Sequence, residues 1–336
     1  MDIVNTSSFH PEHFILKGIP GLENSHFLLS ILFSSMYILA LVGNSILALL
    51  ITITESLHQP MYIFLVMLAV TDVFLSSTTV PKTLSIFWFR SHEISFNGCL
   101  IQVFLIHFLS GIESAILLLM AYDRYVAICF PLTYTTNMTN TFIKRSAVLA
   151  VIRDLCLITP LVFLLIRLPY RQSNVIEHTY CEHMGMARLA TADILVNVVY
   201  GLIAIFFTSV TDVFVIAVSY FVIIRAVLRL PSTEARFKAF NTCVSHICVL
   251  LMFYVPAFFS FIVHRVGHKV ISLQVHILLA NLYFLFPPMM NPIIYGVKTK
   301  EIRHHPCSMV YSHRSFNLVV WWVYFVRLQG TTVDQL

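Results

Sequence analysis

The sequence alternates long uncharged stretches with short polar ones. Asn24–Thr54, Ala239–His264 and Val270–Val297 are each longer than the roughly 20 residues that a helix needs to cross about 30 Å of hydrocarbon. Comparable apolar segments recur along the whole chain. The pattern therefore predicts seven membrane-spanning helices, at residues 27–53, 61–86, 99–125, 143–166, 196–228, 237–264 and 271–296.

The composition agrees with this pattern. Hydrophobic residues fill 58% of the 336 positions and charged residues only 11%, and the mean hydropathy of +0.83 lies far above that of a soluble globular protein. Seven helices and short loops use almost the whole length. The predicted fold class is an all-α membrane protein, a seven-transmembrane helix bundle.

The basic residues indicate how the bundle is oriented, because Lys and Arg concentrate in short cytosolic loops. More of them lie near the odd-numbered loops, counted from the loop after the first helix, than on the opposite side. The first group is Arg124, Lys144, Arg145, Arg225, Arg229, Arg236, Lys238, Lys298, Lys300 and Arg303. The second is Lys17, Lys82, Arg90, Arg265 and Lys269, joined by Arg167, Arg171 and Arg188 if the long loop 167–195 is counted.

This excess predicts an N-terminus outside and a C-terminus in the cytosol. The expected parts are an extracellular N-terminus (1–26), a transmembrane domain (27–296) and a cytosolic tail (297–336). Residues 1–25 are polar, so no cleavable signal peptide is expected. Asn5 heads the acceptor Asn5-Thr6-Ser7 and is the predicted glycosylation site. The net charge of +5 reflects orientation and does not indicate nucleic-acid binding.

A charged cluster ends the third apolar segment. Met120–Cys129 reads MAYDRYVAIC, so Asp123, Arg124 and Tyr125 directly follow an uncharged run. Charges are costly in mid-bilayer, and the cluster therefore belongs at the membrane–cytosol boundary, where Asp123 holds Arg124 in one state and a partner protein takes it in another. The triplet resembles that of rhodopsin-like G-protein-coupled receptors, and the longer string resembles olfactory receptors. The alternative is a solvated charge cluster after a core helix.

Further strings carry the same resemblance over residues 10–303. PMYIFLVMLAVTD, KAFNTCVSH and NPIIY are similar to receptor signatures of the second, sixth and seventh helices, while IHFLSGIES and HRV resemble the class I, or fish-like, branch. The resemblance implies a receptor of the cell membrane that binds a small odorant inside the bundle. It also implies activation of a stimulatory olfactory-type G protein, with a rise in cyclic AMP.

The resemblance also assigns a signalling switch at the cytosolic end. Pro256 breaks the backbone ladder of the sixth helix and gives it a hinge. His246 is interpreted as a packing or hydrogen-bonding residue of the moving half, with a metal ligand as the alternative. The expected switch residues are Asp123, Arg124, Tyr125, His246, Asn291, Pro292 and Tyr295.

Isolated polar side chains inside the apolar segments predict a polar core. Asp72 is a lone acid in the second helix, Glu113 a lone acid in the third, and Asn44 a lone amide in the first. Such groups must face polar partners or an ion. The resemblance places Asp72 and Asn44 in a sodium- or water-filled site; for Glu113, a cation and a purely structural hydrogen-bonded pair both stay open. No metal ligand set or other cofactor is expected.

Two cysteines are expected to pair outside. The resemblance implies a disulfide between Cys99, which opens the third helix, and Cys181 in the loop before the fifth. A helix from Cys99 to Arg124 is about 38 Å long, so Cys99 lies at the outer surface, where disulfides form. A second cysteine pair common in olfactory receptors is missing, since Arg171 and Thr191 align there.

A ligand should bind beneath this disulfide. Arg265 at the mouth suits a carboxylate, which class I receptors are associated with, although it could equally reach lipid headgroups. The bulk of Phe261 argues for a smaller or more apolar ligand. The predicted ligand-binding residues are Phe104, His107, Ser110, Tyr200, Tyr254, Phe258, Phe261 and Arg265.

Two features fit the family pattern poorly. Arg153 and Asp154 are adjacent near the middle of the fourth helix, and since neighbours diverge by about 100°, they should not face one partner. Asp154 must find a donor inside the bundle or lower folding efficiency. Beyond Arg303 the tail is atypical, contains Cys307 as a candidate palmitoylation site, and includes NLVVWWVYFV, too short to span.

Other functions are less consistent with the sequence. It contains no HExxH, GxSxG or phosphate-binding loop, and no internal repeat typical of transporters, so an enzyme is not expected. A non-signalling, poorly trafficked product is the main alternative, and a membrane transporter the second.

Overall fold

Seven long helices form one bundle in the computed structural model, which describes residues 10–171, 173–266 and 272–298. Each contains a segment long and apolar enough to cross a membrane, so within this part of the chain the predicted seven-helix fold is confirmed. The helices are α1 His26–Ile53, α2 Pro60–Phe89, α3 Phe96–Cys129, α4 Asn140–Ile166, α5 Leu195–Leu228, α6 Thr233–Val266 and α7 Leu273–Lys298.

Most of the helices are longer than the apolar pattern predicts, because helical backbone continues into polar caps. The Ser95 hydroxyl accepts from Gly98 N at 3.1 Å and begins α3 before Cys99. The Thr139 hydroxyl accepts from Phe142 N at 3.2 Å and begins α4. N-capping side chains satisfy amides that the first helical turn leaves unpaired.

α3 is the central helix of the bundle. It packs against α2, α4 and α5, and its side chains Leu117, Met120 and Ala121 are completely buried. Phe74 and Phe221, by contrast, are 60% exposed on the outside of the bundle, where lipid replaces water as the solvent. The apolar composition therefore serves two purposes, a packed interior and a lipid-facing surface.

A small sheet, which the sequence pattern did not predict, lies at the disulfide end of the bundle. β1 (His13–Leu16) is its middle strand, antiparallel to β2 (Glu93–Ser95) and parallel to β3 (Val175–Ile176). Strands of two to four residues are too short to show alternating polarity. β1 is followed by Gly18, whose φ of 83° favours glycine.

One turn of α5 departs from α-helical geometry. Phe206–Val210 form a π-helical turn between Leu195–Ile205 and Thr211–Leu228. Such turns insert an extra residue and often occur at functional sites. Here the turn lies beside the cavity described below, and the Thr208 carbonyl lies 3.0 Å from Ser114 Oγ.

Several predictions lie outside the described residues. These are the glycosylation site Asn5, the tail from residue 299 onward with Cys307, and the side chains of Phe261 and Arg265. The division of the chain at 26/27 and 296/297 stays a prediction.

Candidate ligand-binding cavity and signalling core

A cavity of about 190 Å³ lies beneath the loop that joins α4 to α5. Apolar side chains dominate its wall, with a few hydroxyls and imidazoles among them, a lining typical of small-molecule sites. α3, α4, α5, α6 and α7 all contribute. The lining residues are Ile106, His107, Ser110, Gly111, Ile158, Leu161, Tyr180, Cys181, Glu182, His183, Met184, Gly201, Ala204, Ile205, Thr208, Ser209, Ala257, Ser260, Tyr283 and Phe284.

The roof of the cavity, residues 180–184, is anchored to the bundle. The predicted Cys99–Cys181 disulfide is present, with the two Cα atoms 5.4 Å apart. The Cys181 amide also donates to Gln102 Oε1 at 2.8 Å, and Gln102 Nε2 in turn donates to the Thr78 carbonyl of α2 at 2.8 Å. One covalent bond and a buried amide therefore tie the roof to α3 and, through it, to α2.

His107 and Ser110, two of the predicted ligand-binding residues, line the cavity. His107 Nδ1 lies 2.8 Å from the Val103 carbonyl. Because a carbonyl only accepts hydrogen bonds, Nδ1 must carry the proton, and in the neutral ring Nε2 is then an acceptor. The ring therefore suits a ligand that donates a hydrogen bond, such as an alcohol or a protonated acid.

Four other predicted ligand residues do not line this cavity. Phe104 stacks on Phe108, with ring centroids 5.6 Å apart, and Phe258 stacks on Tyr254 at 6.0 Å. The Tyr200 hydroxyl donates to the α4 carbonyl of Leu157 at 3.0 Å. Tyr254 is taken up by the polar network described next. Phe104 and Phe258 thus contact rings of their own helices, and Tyr200 contacts α4.

The roof itself was missed by sequence reasoning. Tyr180, Glu182, His183 and Met184 line the cavity, although none of them was predicted. Their position next to Cys181 could have predicted this, because a disulfide that holds Cys181 over the bundle also places the residues beside it over the cavity. Ser209 and Thr208 of the π-helical turn were also missed, because a periodicity of 3.6 misplaces residues there.

A buried charge network links four helices below the cavity. Arg153 Nε lies 2.9 Å from Asp154 Oδ1, and its Nη1 lies 2.9 Å from Asp212 Oδ1 on α5. Asp212 Oδ2 accepts from Ser114 Oγ of α3 at 2.9 Å. Ser114 Oγ is 2.7 Å from the hydroxyl of Tyr254 on α6.

The network decides between the alternatives left open for α4. Arg153 and Asp154 do not share a third partner: the long guanidinium side chain folds back on Asp154, and Arg153 alone reaches Asp212. Asp154 therefore has its donor inside the bundle. Its carboxyl group packs against Gly111, where an added Cβ would lie 2.8 Å from Asp154 Cγ. Asp212 was not noticed in the sequence, because its partner depends on how α4 and α5 cross.

The predicted polar core comes together around α2 and α7. Asn291 Nδ2 donates to Asp72 Oδ2 at 2.9 Å, and Asn44 Nδ2 donates to the Pro288 carbonyl at 2.7 Å. Glu113 is 1% exposed. Within the described ranges, Asp72 Oδ1, both Glu113 carboxyl oxygens, Asn44 Oδ1 and Asn291 Oδ1 are buried without a hydrogen-bond partner.

These buried oxygens fit a small hard cation. Carboxylate and amide oxygens are the ligands that such ions prefer, and leaving them unpaired in an apolar interior is costly. The part of the chain that the structure describes contains no cluster of three or more His, Cys, Asp or Glu side chains able to hold a metal. Amide oxygens would therefore have to complete the coordination.

At the opposite end of α3, Arg124 is held by its neighbour. Arg124 Nη2 lies 3.3 Å from Asp123 Oδ2, and the Tyr134 hydroxyl donates to Asp123 Oδ1 at 2.7 Å. Burial and the Asp123 carboxylate raise the pKa of Tyr134, so its hydroxyl keeps its proton and remains a donor. Tyr134 was not predicted; it lies in the loop after α3, where sequence gives no contact signal.

The other switch residues lie on α6 and α7. His246 is 1% exposed, and its Nδ1 lies 2.7 Å from the hydroxyl of Tyr220 on α5, a hydrogen-bonding position as interpreted from sequence. Asn291 contacts Asp72, and the Tyr295 ring is 4% exposed. Arg124 thus forms an ion pair with Asp123 in this structure, and a separate hydrogen bond between Tyr220 and His246 joins α5 to α6.

The chain is similar to olfactory receptors over most of its length. A family model described as olfactory receptor matches residues 33–313. Human Olfactory receptor 52B2 is 53% identical over 321 residues, covering 96% of this chain and 98% of its own. Human Olfactory receptor 52D1 is 54% identical over 300 residues, covering 89% and 94%. The family match continues past Arg303, where the resemblance seen in the sequence ended.

A solved structure gives an independent comparison of the fold. The crystal structure of squid rhodopsin superposes with a TM-score of 0.69, covering 94% of this chain and 93% of its own, at 16% identity. At that identity the likeness shows the fold alone.

Proposed function

The chain belongs to the olfactory receptor family, and we propose that it binds a small odorant beneath the Cys99–Cys181 disulfide and activates a stimulatory olfactory-type G protein, raising cyclic AMP. As a family member it is a multi-pass signalling receptor of the plasma membrane and not an enzyme. Its similarity to receptors of the 52 group agrees with the class I branch.

The observation that carries the ligand proposal is the cavity. Its volume of about 190 Å³ is below the roughly 300–1,000 Å³ of sites for drug-sized molecules, which favours a small odorant. His107 and Ser110 provide polar contacts on α3, and Arg265 is the proposed partner of a carboxylate. Short carboxylic acids and alcohols are therefore the first candidates.

The signalling part of the proposal rests on the Asp123–Arg124 pair. Ligand binding shifts the bundle toward a state in which the cytosolic half of α6 moves outward and Arg124 leaves Asp123 for the G protein. Tyr295 meets Arg124 in that state. Asp72 and Asn44, with Glu113 and Asn291, would hold a sodium ion, whose charge would neutralise the buried carboxylates and favour the inactive bundle.

The alternative of a poorly folded product rested on two features, Asp154 and the tail after Arg303, and the first no longer supports it. Asp154 was its main sign of misfolding within the bundle, and that carboxyl group is hydrogen-bonded to Arg153. The tail after Arg303 is the remaining motive and lies outside the described residues.

Cyclic AMP measurements with matched ligands test the proposal. Cells that express the receptor with the olfactory G protein receive straight-chain carboxylic acids or alcohols of equal length, with surface staining as a control. Losing a charge-assisted hydrogen bond costs about 1.5–3 kcal/mol, so Arg265→Ala should raise the half-maximal acid concentration roughly 10- to 100-fold and leave alcohols unchanged.

Two further variants separate the parts of the proposal. Arg124→Ala should be stained normally at the surface and silent to every ligand. His107→Ala should weaken the response to alcohols, which can donate to Nε2, and leave the response to ionised acids nearly unchanged. Acid responses that survive Arg265→Ala would contradict the carboxylate site, and signalling by Arg124→Ala would contradict the switch.

A further inference from the structure

His178 is a buried histidine in the loop between α4 and α5, close to the cavity roof. It is 3% exposed, although the loop lies outside the membrane-spanning helices. Its ring contacts the ring of Tyr180 edge-on, with centroids 4.1 Å apart. Tyr180 lines the cavity and packs against Phe284, which also lines it.

The hydrogen bonds of His178 determine its protonation state. The Thr179 amide donates to His178 Nδ1 at 3.0 Å. A backbone amide can only donate, so Nδ1 must be an unprotonated acceptor and the ring is neutral, with its proton on Nε2. Within the described residues Nε2 has no hydrogen-bond partner. A second proton, on Nδ1, would place the Nδ1–H of His178 and the N–H of Thr179 against each other with no acceptor between them.

Among the residues that the structure describes, no acidic side chain is paired with His178. The ring of His276 on α7 lies 6.2 Å from the His178 ring. A positive charge on His276 would repel a positive charge on His178. Glu177, the acidic residue next to His178 in the sequence, is paired with Lys17, which follows β1; Glu177 Oε1 lies 2.8 Å from Lys17 Nζ. Burial, together with His276, lowers the pKa of His178 to about 3.

The backbone of this segment is anchored on both sides. The His178 carbonyl accepts from Gly18 N, two residues after the end of β1, at 3.2 Å. The next side chain, Thr179, donates to Asn281 Oδ1 of α7 at 2.9 Å. His178 is thus fixed between β1 and α7, and Tyr180 two residues later depends on that fixed backbone for its place in the cavity wall.

We propose that neutral His178 is a positioning residue of the cavity roof, and that a proton taken up from outside releases the roof and weakens ligand binding. The proposal rests on the cavity being the odorant site, as proposed above. It adds an acid-sensitive element that acts through Tyr180 and does not itself touch the ligand.

The size of the effect follows from proton linkage. In the closed roof, the conformation described here, His178 binds a proton poorly. The contribution of neutral His178 to the stability of this conformation is therefore complete above about pH 6.5 and is lost as pH falls toward 3. If His178 in the open loop has an ordinary histidine pKa of about 6.5, lowering the pH from 7 to 5 raises the ratio of open to closed roof about 25-fold.

Hydrogen exchange measures the opening directly and requires no ligand. The full receptor in lipid nanodiscs is exchanged at pH 7 and pH 5, and rates at the Thr179 and Gly18 amides are corrected for the intrinsic effect of pH. His178→Asn keeps an acceptor close to the Nδ1 position but cannot ionise in this range. His13→Asn, on the exposed part of β1, is the matched control.

The expected result is an acid-driven rise in Thr179 exchange that is about 25-fold smaller in His178→Asn than in the wild type and in His13→Asn. An equal rise in His178→Asn and the wild type would overturn the proposal. If His178→Asn does not reach the membrane, the wild-type profile decides: exchange must increase below about pH 6.5, and a flat profile overturns the proposal as well.

A signalling experiment then links the roof to ligand binding. A straight-chain alcohol is used as the probe, because its own charge does not change between pH 7 and pH 5. The half-maximal concentration should rise in acid for the wild type and stay nearly constant for His178→Asn. Acid opening without any odorant response would refute the proposed function alone, whereas odorant responses with no acid opening would refute this inference alone.

Discussion

A single glycine determines whether the charge network of α4 can form. Gly111 lies where α3 and α4 meet, and the Asp154 carboxyl group occupies the space that a side chain would need. Arg153 Nη2 also donates to the Gly111 carbonyl at 3.3 Å. The close approach lets one guanidinium serve two carboxylates, so removing one partner would leave a buried group unpaired.

Gly111→Ala should therefore destabilise the receptor. Its Cβ would lie 2.8 Å from Asp154 Cγ, and overpacking of this kind costs about 1–3 kcal/mol. Thermal unfolding of the purified receptor measures the loss. Gly185→Ala is the control, because its Cβ would meet its nearest atom at an ordinary 3.5 Å.

The contact itself is tested by a double variant. In an Asp154→Ala background the carboxyl group is gone, and Gly111→Ala should cost little or even stabilise α3, since alanine is the better helix former. An equal loss in both backgrounds would show that Asp154 is not what Gly111 accommodates.

Residue chemistry was predictable where a polar group interrupts an apolar run. Asn44, Asp72, Glu113 and the Asp123–Arg124 pair stand out in the sequence for that reason, and all are buried or half-buried in the structure. Which group meets which was not predictable. Asp212 binds Arg153 because of how α4 and α5 cross, and no local pattern encodes a crossing.

At the scale of elements, the loop between α4 and α5, which contains the cavity roof, is the part most dependent on a covalent bond. Its described backbone is irregular apart from β3 and the short helix His183–Ala187. Few ladder hydrogen bonds hold such a segment, and the Cys99–Cys181 bond closes a long loop onto α3. A disulfide of this kind is worth about 2–5 kcal/mol.

Cys99→Ser should accordingly reduce surface delivery of the receptor strongly. Surface staining relative to total protein measures this, and Cys156→Ser is the matched control because that cysteine is unpaired and exposed on the outside of α4. Normal surface staining of Cys99→Ser would mean that the remaining anchors, such as the Cys181–Gln102 hydrogen bond, suffice.

The helices were predictable as elements, and the sheet and the π-helical turn were not. Seven apolar segments of sufficient length leave little choice of fold in a membrane, because backbone groups must pair within each segment. β1, β2 and β3 gain their pairing from segments far apart in sequence. The π-helical turn at Phe206–Val210 includes Thr208, whose carbonyl lies 3.0 Å from Ser114 Oγ of α3, a contact that no local pattern in the sequence shows.

At the scale of the whole molecule, the orientation in the membrane connects the cavity with the switch. The disulfide and the cavity lie at one end of α3, and the Asp123–Arg124 pair lies near the other. Disulfides form in oxidising compartments, so we expect the disulfide end to lie outside. The excess of Lys and Arg near the odd-numbered loops indicates the same orientation.

An epitope tag at each end of the chain tests this orientation. An N-terminal tag should be stained on intact cells, and a C-terminal tag only after permeabilisation. The opposite result would place Arg124 outside and exclude coupling to a cytosolic G protein.

The position of β1 at the centre of the sheet also has a consequence for biosynthesis. β1 is translated first, yet His13 pairs with Ser95, 82 residues later (95 − 13), and Ile15 with Val175, 160 residues later (175 − 15). Its neighbours emerge after the second and the fourth helix. β1 therefore cannot complete its pairing until about half of the chain has been made. The small sheet can therefore close only after the fourth helix has been made, although its central strand is made first.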